Sequence, residues 1–299
     1  MINNDPLVSV LMTCYNRGRF LAEAIESVLA SSYKNFELII VDDASTDDSL
    51  AISQAYAARD TRIKVVSNNK NLGDYKNRNH AASFANGKYI KYVDSDDRIE
   101  EKSLEIMVDG MEQNPLVSVG FSPRRQSEKI AYPVVFDGAA ALRKHFIGGG
   151  LLEAGPASAI IRLDKFNEVG CFSGKRYVSD YECWLKLCLV SSIILFEPGL
   201  VWLRTHEGQE NDVGRIDYYH LNYNIHQSFL SRTDVPFTER ERKDLKYNYR
   251  VLLGRRIYQR LLKWYGIKKT LDVVKRCGEG PSIFFQAFSP MKKLDSSIE

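Results

Sequence analysis

Three carboxylates stand within four positions of this sequence, at Asp94, Asp96 and Asp97. They come directly after residues 89–93, a run of aromatic and β-branched residues with the composition of a strand. Like charges held this close repel one another unless a cation lies among them. Mg²⁺ and Mn²⁺ prefer oxygen ligands and bridge carboxylates to phosphate oxygens, so a divalent cation is one candidate. The alternative is a solvated acidic turn that caps a helix beginning near Glu101, and this motif alone does not choose between them.

Four more polar side chains follow predicted strands or begin predicted helices, and each has a structural alternative. Asp42 ends a strand, where it could accept a hydrogen bond from a nucleobase or ribose, or only shape a turn. Arg78 lies in the first turns of a helix and could bind phosphate or nearby acids, or be exposed. Asp180 begins a helix, as a general base or as a cap. His206 follows a strand and could bind a metal or a diphosphate, or be structural.

The elements that must position these residues alternate between strand and helix patterns. Predicted strands at 7–13, 36–41, 63–66 and 89–93 are separated by helix patterns, and Ser45 with Asp48 resembles a capping box that opens a helix over 49–58. This order favours parallel strands with right-handed crossovers. Ligands bind beyond the carboxyl ends of such strands, which is where residues 13–16, 42–46 and 94–97 lie. We therefore predict a ligand site at this edge.

Two common phosphate-binding loops are missing from the sequence. A dinucleotide-binding G-x-G-x-x-G does not follow the first strand, where the turn is Cys14-Tyr15-Asn16-Arg17-Gly18, and no Walker P-loop occurs. A phosphate-rich ligand would need another source of positive charge, which a metal on the acidic cluster would supply.

Composition and charge limit the class of protein. The chain has 299 residues, 44% hydrophobic and 26% charged, which suits one large domain or one domain with an appendage. No apolar run approaches the roughly 18 residues of a membrane span, and the first residues lack the pattern of a signal peptide. Five cysteines without metal-site spacing suggest reduced core residues. We therefore expect a cytoplasmic protein.

The net charge of +3 conceals an asymmetry. Residues 240–276 carry 13 Lys or Arg against three acids, a net charge of +10, so the rest of the chain sums to −7. Apolar residues recur there every three to four positions, at Leu245, Tyr249, Leu252, Leu253, Ile257, Leu261 and Trp264. Either this stripe packs on the domain formed by the preceding residues, or the segment binds anionic lipid as an interfacial helix, with help from residues 283–288. Nucleic-acid binding is disfavoured because no known nucleic-acid-binding module is present.

Taken together, the motifs resemble those of the family 2 glycosyltransferases with the GT-A fold. V-S-V-L-M-T-C-Y-N (8–16), I-I-V-D-D-A-S-T-D-D-S (39–49), N-L-G-x-x-x-N-R-N (71–79) and Y-V-D-S-D-D (92–97) resemble the nucleotide-binding half. G-P-A-S-A-I-I-R (155–162), E-V-G-C-F (168–172) and S-D-Y-E-C-W-L-K-L (179–187) resemble the acceptor half. The resemblance covers about residues 7–210.

The resemblance implies roles for particular residues. Asp180 is the expected catalytic base. The expected metal ligands are Asp96 and Asp97, with His206 as a further candidate. The nucleotide-sugar would be bound by Thr13, Tyr15, Asp42, Arg78, Asp94, Ser95 and Asp96. Two positions depart from the family pattern, because Ser179 replaces the acid that usually precedes the base and Lys186 replaces an arginine.

The expected fold is α/β, with a mostly parallel central sheet, flanking helices and a C-terminal helical extension. Residues 1–210 would form the GT-A domain, its nucleotide-binding half at about 1–100 and its acceptor half at about 101–210, and residues 211–299 would form the basic extension. The expected activity is inverting transfer, with Mn²⁺ or Mg²⁺, from a nucleotide-sugar, with UDP favoured, to a glycan or lipid-linked hydroxyl in cell-surface polysaccharide synthesis. The alternative is a nucleotide-sugar-binding module without turnover. Attachment to the inner face of the cell membrane follows if the basic segment binds lipid, and a homodimer is left open.

Overall fold

The computed structural model describes residues 5–123, 131–207 and 216–294. The chain divides into two compact units. The first unit comprises residues 1–141 and 152–204, and the second comprises residues 142–151 and 205–299.

The strands all belong to the first unit. They are β1 (Val8–Cys14), β2 (Phe36–Asp42), β3 (Ile63–Ser67), β4 (Tyr89–Tyr92), β5 (Arg98–Ile99), β6 (Val117–Phe121), β7 (Val134–Phe136), β8 (Ala159–Arg162), β9 (Ser192–Leu195) and β10 (Val201–Trp202). The helices up to residue 190 are α1 (Gly18–Leu29), α2 (Ser49–Ala57), α3 (Asp74–Ala82), α4 (Ser103–Gln113), α5 (Gly138–Gly148), α6 (Leu163–Glu168) and α7 (Ser179–Val190).

Eight strands form one central sheet in the order β3-β2-β1-β4-β8-β6-β9-β7, and β5 pairs with β10 separately. The β3-β2-β1-β4 half is parallel throughout. In the other half β8 runs antiparallel to β4 and β6, β9 runs parallel to β6, and β7 closes the edge antiparallel to β9. The predicted α/β class with a mostly parallel sheet is confirmed.

The register of the parallel strands brings the predicted polar segments to one edge. Cys14 at the end of β1 is opposite Asp42 at the end of β2. On the other side of β1, Leu11 is opposite Tyr92, the last residue of β4. The residues that follow β1, β2 and β4 therefore leave the sheet at neighbouring positions, as the sequence predicts.

Helices pack on the sheet through apolar faces. In α1 the buried positions are Leu21, Ala24, Ile25 and Val28, which have helical spacing and join the core formed by β1, β2 and β4. Each fully buried Leu or Ile side chain contributes about 2 kcal/mol to folding, which keeps α1 and the loop before it in a fixed position.

The predicted capping box at α2 is wrong. The residue preceding the helix is Asp48, whose side chain makes no capping hydrogen bond. Instead, Asp47 Oδ1 accepts a hydrogen bond from the Ser49 N–H at 3.0 Å, and Asp47 Oδ2 accepts one from the Gly18 N–H at 2.9 Å. One carboxylate thus binds the first turns of both α1 and α2, because their N-termini meet at the same edge of the sheet.

The second unit is helical. Its remaining helices are α8 (Ile216–Phe229), α9 (Glu239–Arg256), α10 (Leu262–Arg276) and α11 (Ile283–Gln286), with a π-helical turn at Ile257–Leu261. Leu253 and Ile257 of the apolar stripe are buried against residues of α8, α10 and α11. These two residues of the stripe therefore pack within the second unit.

Within the described residues, no helix is both long enough and apolar enough to cross a bilayer.

Candidate active site

The acidic turn, which we define as Asp94, Asp96 and Asp97, follows β4 as predicted. Each residue offers one carboxylate oxygen, and these three oxygens lie within 4.8 Å of one another. Asp97 is buried, and Asp94 and Asp96 are half-buried. Three hard oxygens at this spacing suit a divalent cation such as Mg²⁺ or Mn²⁺. The residues present therefore fit the metal that the sequence predicts.

Two arginines partly neutralise the acidic turn. The Arg78 Nη2 lies 2.8 Å from Asp94 Oδ1, and its Nε donates to Asp74 Oδ1 at 2.7 Å. From the loop after β1, the Arg17 Nε donates to Asp96 Oδ2 at 3.1 Å. The Arg78 side chain is only 9% exposed, so its ion pairs are poorly screened by solvent.

Arg204 contacts the acidic turn, and the sequence analysis did not identify it as a site residue. Its backbone N–H donates to Asp97 Oδ1 at 2.8 Å, and its Nε donates to the Asp96 carbonyl at 2.9 Å. The guanidinium lies 4.7 Å from the ring centroids of both Phe20 and Trp202, which hold it in place. The arginine at the predicted strand end was visible in the sequence, but its contact with residues over 100 positions away was not.

Burial dominates the electrostatics of the acidic turn. Burial, followed by the neighbouring Asp94 carboxylate, raises the pKa of Asp97 to about 7. Burial likewise raises the pKa of Asp94, although the Arg78 charge opposes the rise. Beneath the turn, burial lowers the pKa of Lys91 to about 7, and its ammonium donates to the carbonyls of Tyr92 and Ala157. Burial thus disfavours the charged forms of Asp94 and Asp97, and a bound cation would favour them again.

Three of the predicted nucleotide-binding residues lie at the ends of β1 and β2 or directly after β1. Thr13 is half-buried near the end of β1, and Tyr15 is 47% exposed. Asp42 is 1% exposed, and its Oδ2 accepts a hydrogen bond from the Ser45 N–H at 3.0 Å. Its Oδ1 is buried and has no hydrogen-bond partner among the described residues. A buried carboxylate oxygen without a partner is costly, and a hydrogen-bond donor on a ligand would remove this cost. A nucleotide-binding role for Asp42 stays a prediction.

Asp43 is a structural residue that the sequence analysis did not single out. Its carboxylate accepts hydrogen bonds from the backbone N–H groups of Leu72 and Gly73 and from the side-chain amide of Asn68. Gly73 has a φ of +83°, a conformation that favours glycine, and α3 begins at the next residue. Asp43 therefore fixes the start of α3 relative to β2.

Asp180 lies in the first turn of α7, as predicted, and is half-buried. Its Oδ1 accepts a hydrogen bond from the Tyr181 N–H at 2.8 Å. Burial raises the pKa of Asp180 to about 6, against the effect of the Tyr181 N–H. Among nearby charges, Asp74 raises this pKa and Arg78 lowers it. A carboxylate with this pKa can take up a proton near neutral pH.

Ser179, the residue before Asp180, departs from the family pattern and forms hydrogen bonds inside the protein. Ser179 is fully buried, and its hydroxyl donates to the Lys175 carbonyl at 2.7 Å and lies 3.1 Å from the Ser173 hydroxyl. A carboxylate here would need other partners, because a carbonyl cannot donate a hydrogen bond to it.

The remaining predicted site residues are Ser95 and His206. Ser95 is buried beside the Cys14 thiol. His206 belongs to the second unit, where its Nδ1 lies 2.7 Å from the Glu207 carbonyl oxygen. A metal-binding role for His206 stays a prediction.

Comparison with known proteins identifies relatives of this arrangement. The family model described as "Glycosyl transferase family 2" matches residues 9–170. Similar sequences include EpsE of Bacillus subtilis (strain 168), 46% identical over 114 residues, and TuaG of the same organism, 42% identical over 113 residues. Glycosyltransferase GlyG of Streptococcus pneumoniae (serotype 4) is 29% identical over 219 residues. The EpsE match covers 38% of this chain and 41% of EpsE, and the TuaG match covers 36% of this chain and 45% of TuaG. The GlyG match covers 68% of this chain and 72% of GlyG. The chain therefore spans less than half the length of EpsE and of TuaG.

Solved structures share the fold. TarS of S. aureus in complex with UDP-GlcNAc matches with a TM-score of 0.70 at 19% identity, over 91% of this chain and 79% of TarS. The mannosyltransferase PcManGT of Pyrobaculum calidifontis, in complex with GDP-Man and Mn²⁺, matches with a TM-score of 0.65 at 15% identity, over 95% of this chain and 79% of its own. The GT-A fold expected from the sequence is thereby confirmed. The family model matches more than half of the residues of this chain, and the chain therefore belongs to glycosyltransferase family 2.

Proposed function

We propose that this protein is an inverting glycosyltransferase that moves a sugar from a nucleotide-sugar to a hydroxyl group of a glycan or lipid-linked acceptor. The observation that carries the proposal is the acidic turn, whose three carboxylate oxygens lie within 4.8 Å of one another directly after β4. Three such oxygens suit the divalent cation that a nucleotide-sugar diphosphate would bring. Asp180, in the first turn of α7, is the proposed proton acceptor.

The donor is proposed to be a UDP-sugar. The open Asp42 Oδ1 is an acceptor, so it suits a base that presents an N–H, as uracil does. Thr13 at the end of β1 and Tyr15 directly after it lie next to the end of β2, where they would contact the nucleoside. TarS, which shares the fold, was solved with UDP-GlcNAc.

The donor diphosphate is proposed to bind at the acidic turn with Mn²⁺ or Mg²⁺. Asp96 and Asp97 would hold the cation, with Asp94 and Ser95 lining the site; His206 is a further proposed ligand. When bound, the cation supplies positive charge that stabilises the leaving diphosphate. Arg78 pairs with Asp94 and favours its ionised form, and Arg204 fixes the backbone of the turn.

Asp180 is the proposed catalytic base. Its carboxylate removes the proton of the acceptor hydroxyl as that oxygen attacks the anomeric carbon. The bond from this carbon to the diphosphate oxygen breaks, and its electron pair leaves with the diphosphate. Attack from the opposite face inverts the configuration at the anomeric carbon. With a pKa of about 6, Asp180 is largely ionised at pH 7 and can accept the proton.

Ser179 supports an alternative, a nucleotide-sugar-binding module of the same fold without turnover. It removes one carboxylate from the acceptor side, and its buried hydroxyl is used by the Lys175 carbonyl. We favour the enzyme because the proposed base, Asp180, is retained.

A direct experiment separates the enzyme from the binding module. The protein would be screened by thermal shift against a panel of nucleotide-sugars with Mn²⁺, and the stabilising donors would be tested for transfer to glycan acceptors. Transfer that stops in EDTA and returns with Mn²⁺ supports the proposal. Donor binding without release of the nucleoside diphosphate, across the acceptor panel, would favour the binding module. Full transfer in EDTA would contradict the metal role of Asp96 and Asp97.

The proposed setting is cell-surface polysaccharide synthesis at the cytoplasmic face of the membrane. The name of TuaG refers to teichuronic acid biosynthesis, which supports the polysaccharide assignment. The second unit has a candidate membrane surface, the aromatic patch, whose exposed members are Tyr258, Phe285, Phe288 and Met291. Lys292 and Lys293 beside it are exposed and match an anionic surface.

The helices beside the aromatic patch, α11 and the end of α9, pack tightly on each other, and the patch stays exposed. A Cβ at Gly254 would come within 2.7 Å of the Ala287 backbone nitrogen, so the two segments approach as closely as glycine allows. The Phe288 and Tyr258 rings lie 5.4 Å apart, and Phe288 is still 77% exposed. Large exposed aromatic side chains beside lysines are typical of surfaces that insert into the interface of a bilayer.

Flotation with liposomes tests this surface. Replacing Phe285 and Phe288 with serine should abolish binding to vesicles that contain anionic phospholipid and leave catalysis of water-soluble acceptors intact. Leu116→Ser is the matched control, because Leu116 is 81% exposed in the first unit. Equal flotation of the double variant and the wild type would refute the membrane proposal.

A further inference from the structure

Arg17 is the last residue before α1, and its side chain reaches the acidic turn. Its Nε donates a hydrogen bond to Asp96 Oδ2 at 3.1 Å, so a guanidinium already binds one of the two proposed metal ligands. A divalent cation on the Asp96 carboxylate would share it with this guanidinium. Two positive charges on one carboxylate weaken each other's binding, so a cation at Asp96 would oppose the pairing with Arg17.

The backbone of Arg17 is fixed, and its side chain is the part that can move. The Arg17 N–H donates to Ser49 Oγ at 2.9 Å, and its carbonyl accepts from two N–H groups in the first turn of α1. The Arg17 side chain is 28% exposed, whereas that of Arg78, which pairs with Asp94, is 9% exposed. An ion pair that solvent reaches is weak, so the Arg17 guanidinium can exchange one anionic partner for another at low cost.

The loop that contains Arg17 is also joined to the candidate nucleoside-binding residues. The Arg17 Nη1 donates to the Asn16 carbonyl at 3.2 Å. The Asn16 N–H donates to Ser45 Oγ at 3.0 Å, and its side-chain oxygen accepts from the Thr46 N–H at 2.8 Å. The Ser45 N–H in turn donates to Asp42. A chain of contacts thus runs from the acidic turn, through Arg17, to the carboxylate proposed to bind the base.

The charges indicate where the guanidinium would go when a donor binds. A nucleotide-sugar brings the negative charge of its diphosphate together with the cation, so a guanidinium that leaves Asp96 finds a new anionic partner in the same site. Mn²⁺ alone brings only positive charge, and Arg17 would then give up Asp96 for solvent. Arg17 therefore opposes the cation alone more strongly than the cation with its diphosphate.

We propose that Arg17 couples the binding of the cation to that of the donor: it binds Asp96 in the metal-free protein, leaves this carboxylate when the cation and the diphosphate bind, and then pairs with the diphosphate. This inference rests on the proposed function of the acidic turn. Because a coupling between two ligands is reciprocal, the diphosphate strengthens cation binding by the same factor as the cation strengthens diphosphate binding.

The experiment measures two dissociation constants at one pH for the wild type and Arg17→Met. Electron paramagnetic resonance gives the constant for Mn²⁺ alone, and calorimetry gives the constant for UDP in saturating Mn²⁺. In Arg17→Met the constant for Mn²⁺ alone should fall by about three- to tenfold, because the competing charge is gone. The constant for UDP should rise by about three- to tenfold, because the diphosphate loses a partner. A residue that only supports the fold would weaken the binding of both.

Arg19→Met is the matched control, because Arg19 is exposed and its loss removes the same charge from the first turn of α1. Both of its constants should stay within about twofold of the wild-type values. Arg17→Lys keeps the charge, so its constant for Mn²⁺ alone should stay near the wild-type value. Arg17→Gln removes the charge and keeps a polar side chain, and it gives the same test as Arg17→Met if that variant folds poorly.

The proposal is overturned if removal of the Arg17 charge leaves Mn²⁺ binding unchanged or weaker, or leaves UDP binding unchanged. Equally tight Mn²⁺ binding in Arg17→Lys and Arg17→Met would also overturn it. The proposed function fails in a different way. If the wild type binds neither Mn²⁺ nor UDP with Mn²⁺, the metal-dependent donor site is wrong. If the wild type binds both and the Arg17 variants have wild-type constants, only the role of Arg17 is wrong.

Discussion

Replacing Asp42 with asparagine should alter both the affinity and the base preference of the donor site. The Ser45 N–H donates to Asp42 Oδ2 at 3.0 Å, so the carbonyl oxygen of the asparagine would turn towards Ser45. Its NH₂ group would then occupy the position of Asp42 Oδ1, which is buried and has no partner within the described part of the chain. The substitution therefore exchanges an acceptor for a donor at the position proposed to bind the base.

The expected loss of affinity for UDP follows from this exchange of an acceptor for a donor. A hydrogen bond to a charged group contributes about 1.5–3 kcal/mol, so the dissociation constant for UDP should rise by roughly 10- to 150-fold. Cytosine presents an acceptor where uracil presents its N–H, so CDP should lose much less affinity or gain some. The preference for UDP over CDP should therefore fall by about tenfold or more.

Titration calorimetry with UDP and CDP in the presence of Mn²⁺ measures these changes. Asp60→Asn is a suitable control, because it removes a carboxylate that pairs with Arg62 in the same unit. Melting curves of both variants establish that the fold is retained. The assignment of Asp42 would be refuted if Asp42→Asn bound UDP as tightly as the wild type, or if UDP and CDP lost affinity equally.

Three further substitutions test other parts of the account. Asp97→Asn should weaken Mn²⁺ binding about tenfold or more, as measured by electron paramagnetic resonance, and unchanged binding would exclude Asp97 as a ligand. Glu241→Gln should lower the free energy of unfolding of the second unit by about 1 kcal/mol at pH 7, because Arg143 holds the pKa of Glu241 at about 2. A pKa depressed on folding stabilises the native state above the unfolded-state pKa and loses this effect as the pH falls towards 2, so urea denaturation should show a smaller difference at pH 3 than at pH 7. Gly138→Ala should lower the melting temperature by roughly 9 °C, the effect of about 3 kcal/mol, because its Cβ would lie 1.8 Å from a backbone carbonyl oxygen. Gly148→Ala is its control, since the nearest atom to that Cβ is 3.6 Å away, and equal melting of the two variants would contradict the packing argument.

The parallel half of the sheet and its polar edge could be predicted because local signals specify them. The strand that ends at Asp42 and the strand before Asp94 are mostly apolar and buried on both faces, although the second contains Lys91, and polar turns follow them directly. Once such strands pair in parallel, the residues after them must lie at the same edge. The acidic turn and the candidate nucleotide-binding loops follow from this rule.

The other half of the sheet, in which β7 and β8 pair antiparallel with their neighbours, could not be predicted in the same way. The β7 strand and α5 fall in a segment, 122–155, that shows neither clear alternation nor a clear helical period. Pro156 begins a short 3-10 turn rather than a strand, and only residues from Ala159 pair in the sheet. Their conformation depends on tertiary partners such as β6 and β9, which local sequence does not reveal.

The supporting residues of the site were also hidden from the sequence. Arg204 contacts Asp96 and Asp97 across more than 100 positions, and Asp43 accepts hydrogen bonds from Leu72 and Gly73, which follow it by 29 and 30 positions. The spacing of these residues in the sequence does not indicate that they are partners. Side chains of this kind act through distant partners, so only the folded structure shows their roles.

The central claim is that Asp180 removes the acceptor proton while a separate group of residues binds the donor. The most direct measurement compares Asp180→Asn with the wild type for both transfer rate and donor affinity on the same preparations. Our account predicts a fall in kcat of about 10²- to 10⁴-fold, with the dissociation constant for the nucleotide-sugar unchanged within about twofold. Transfer at close to the wild-type rate in Asp180→Asn would contradict it.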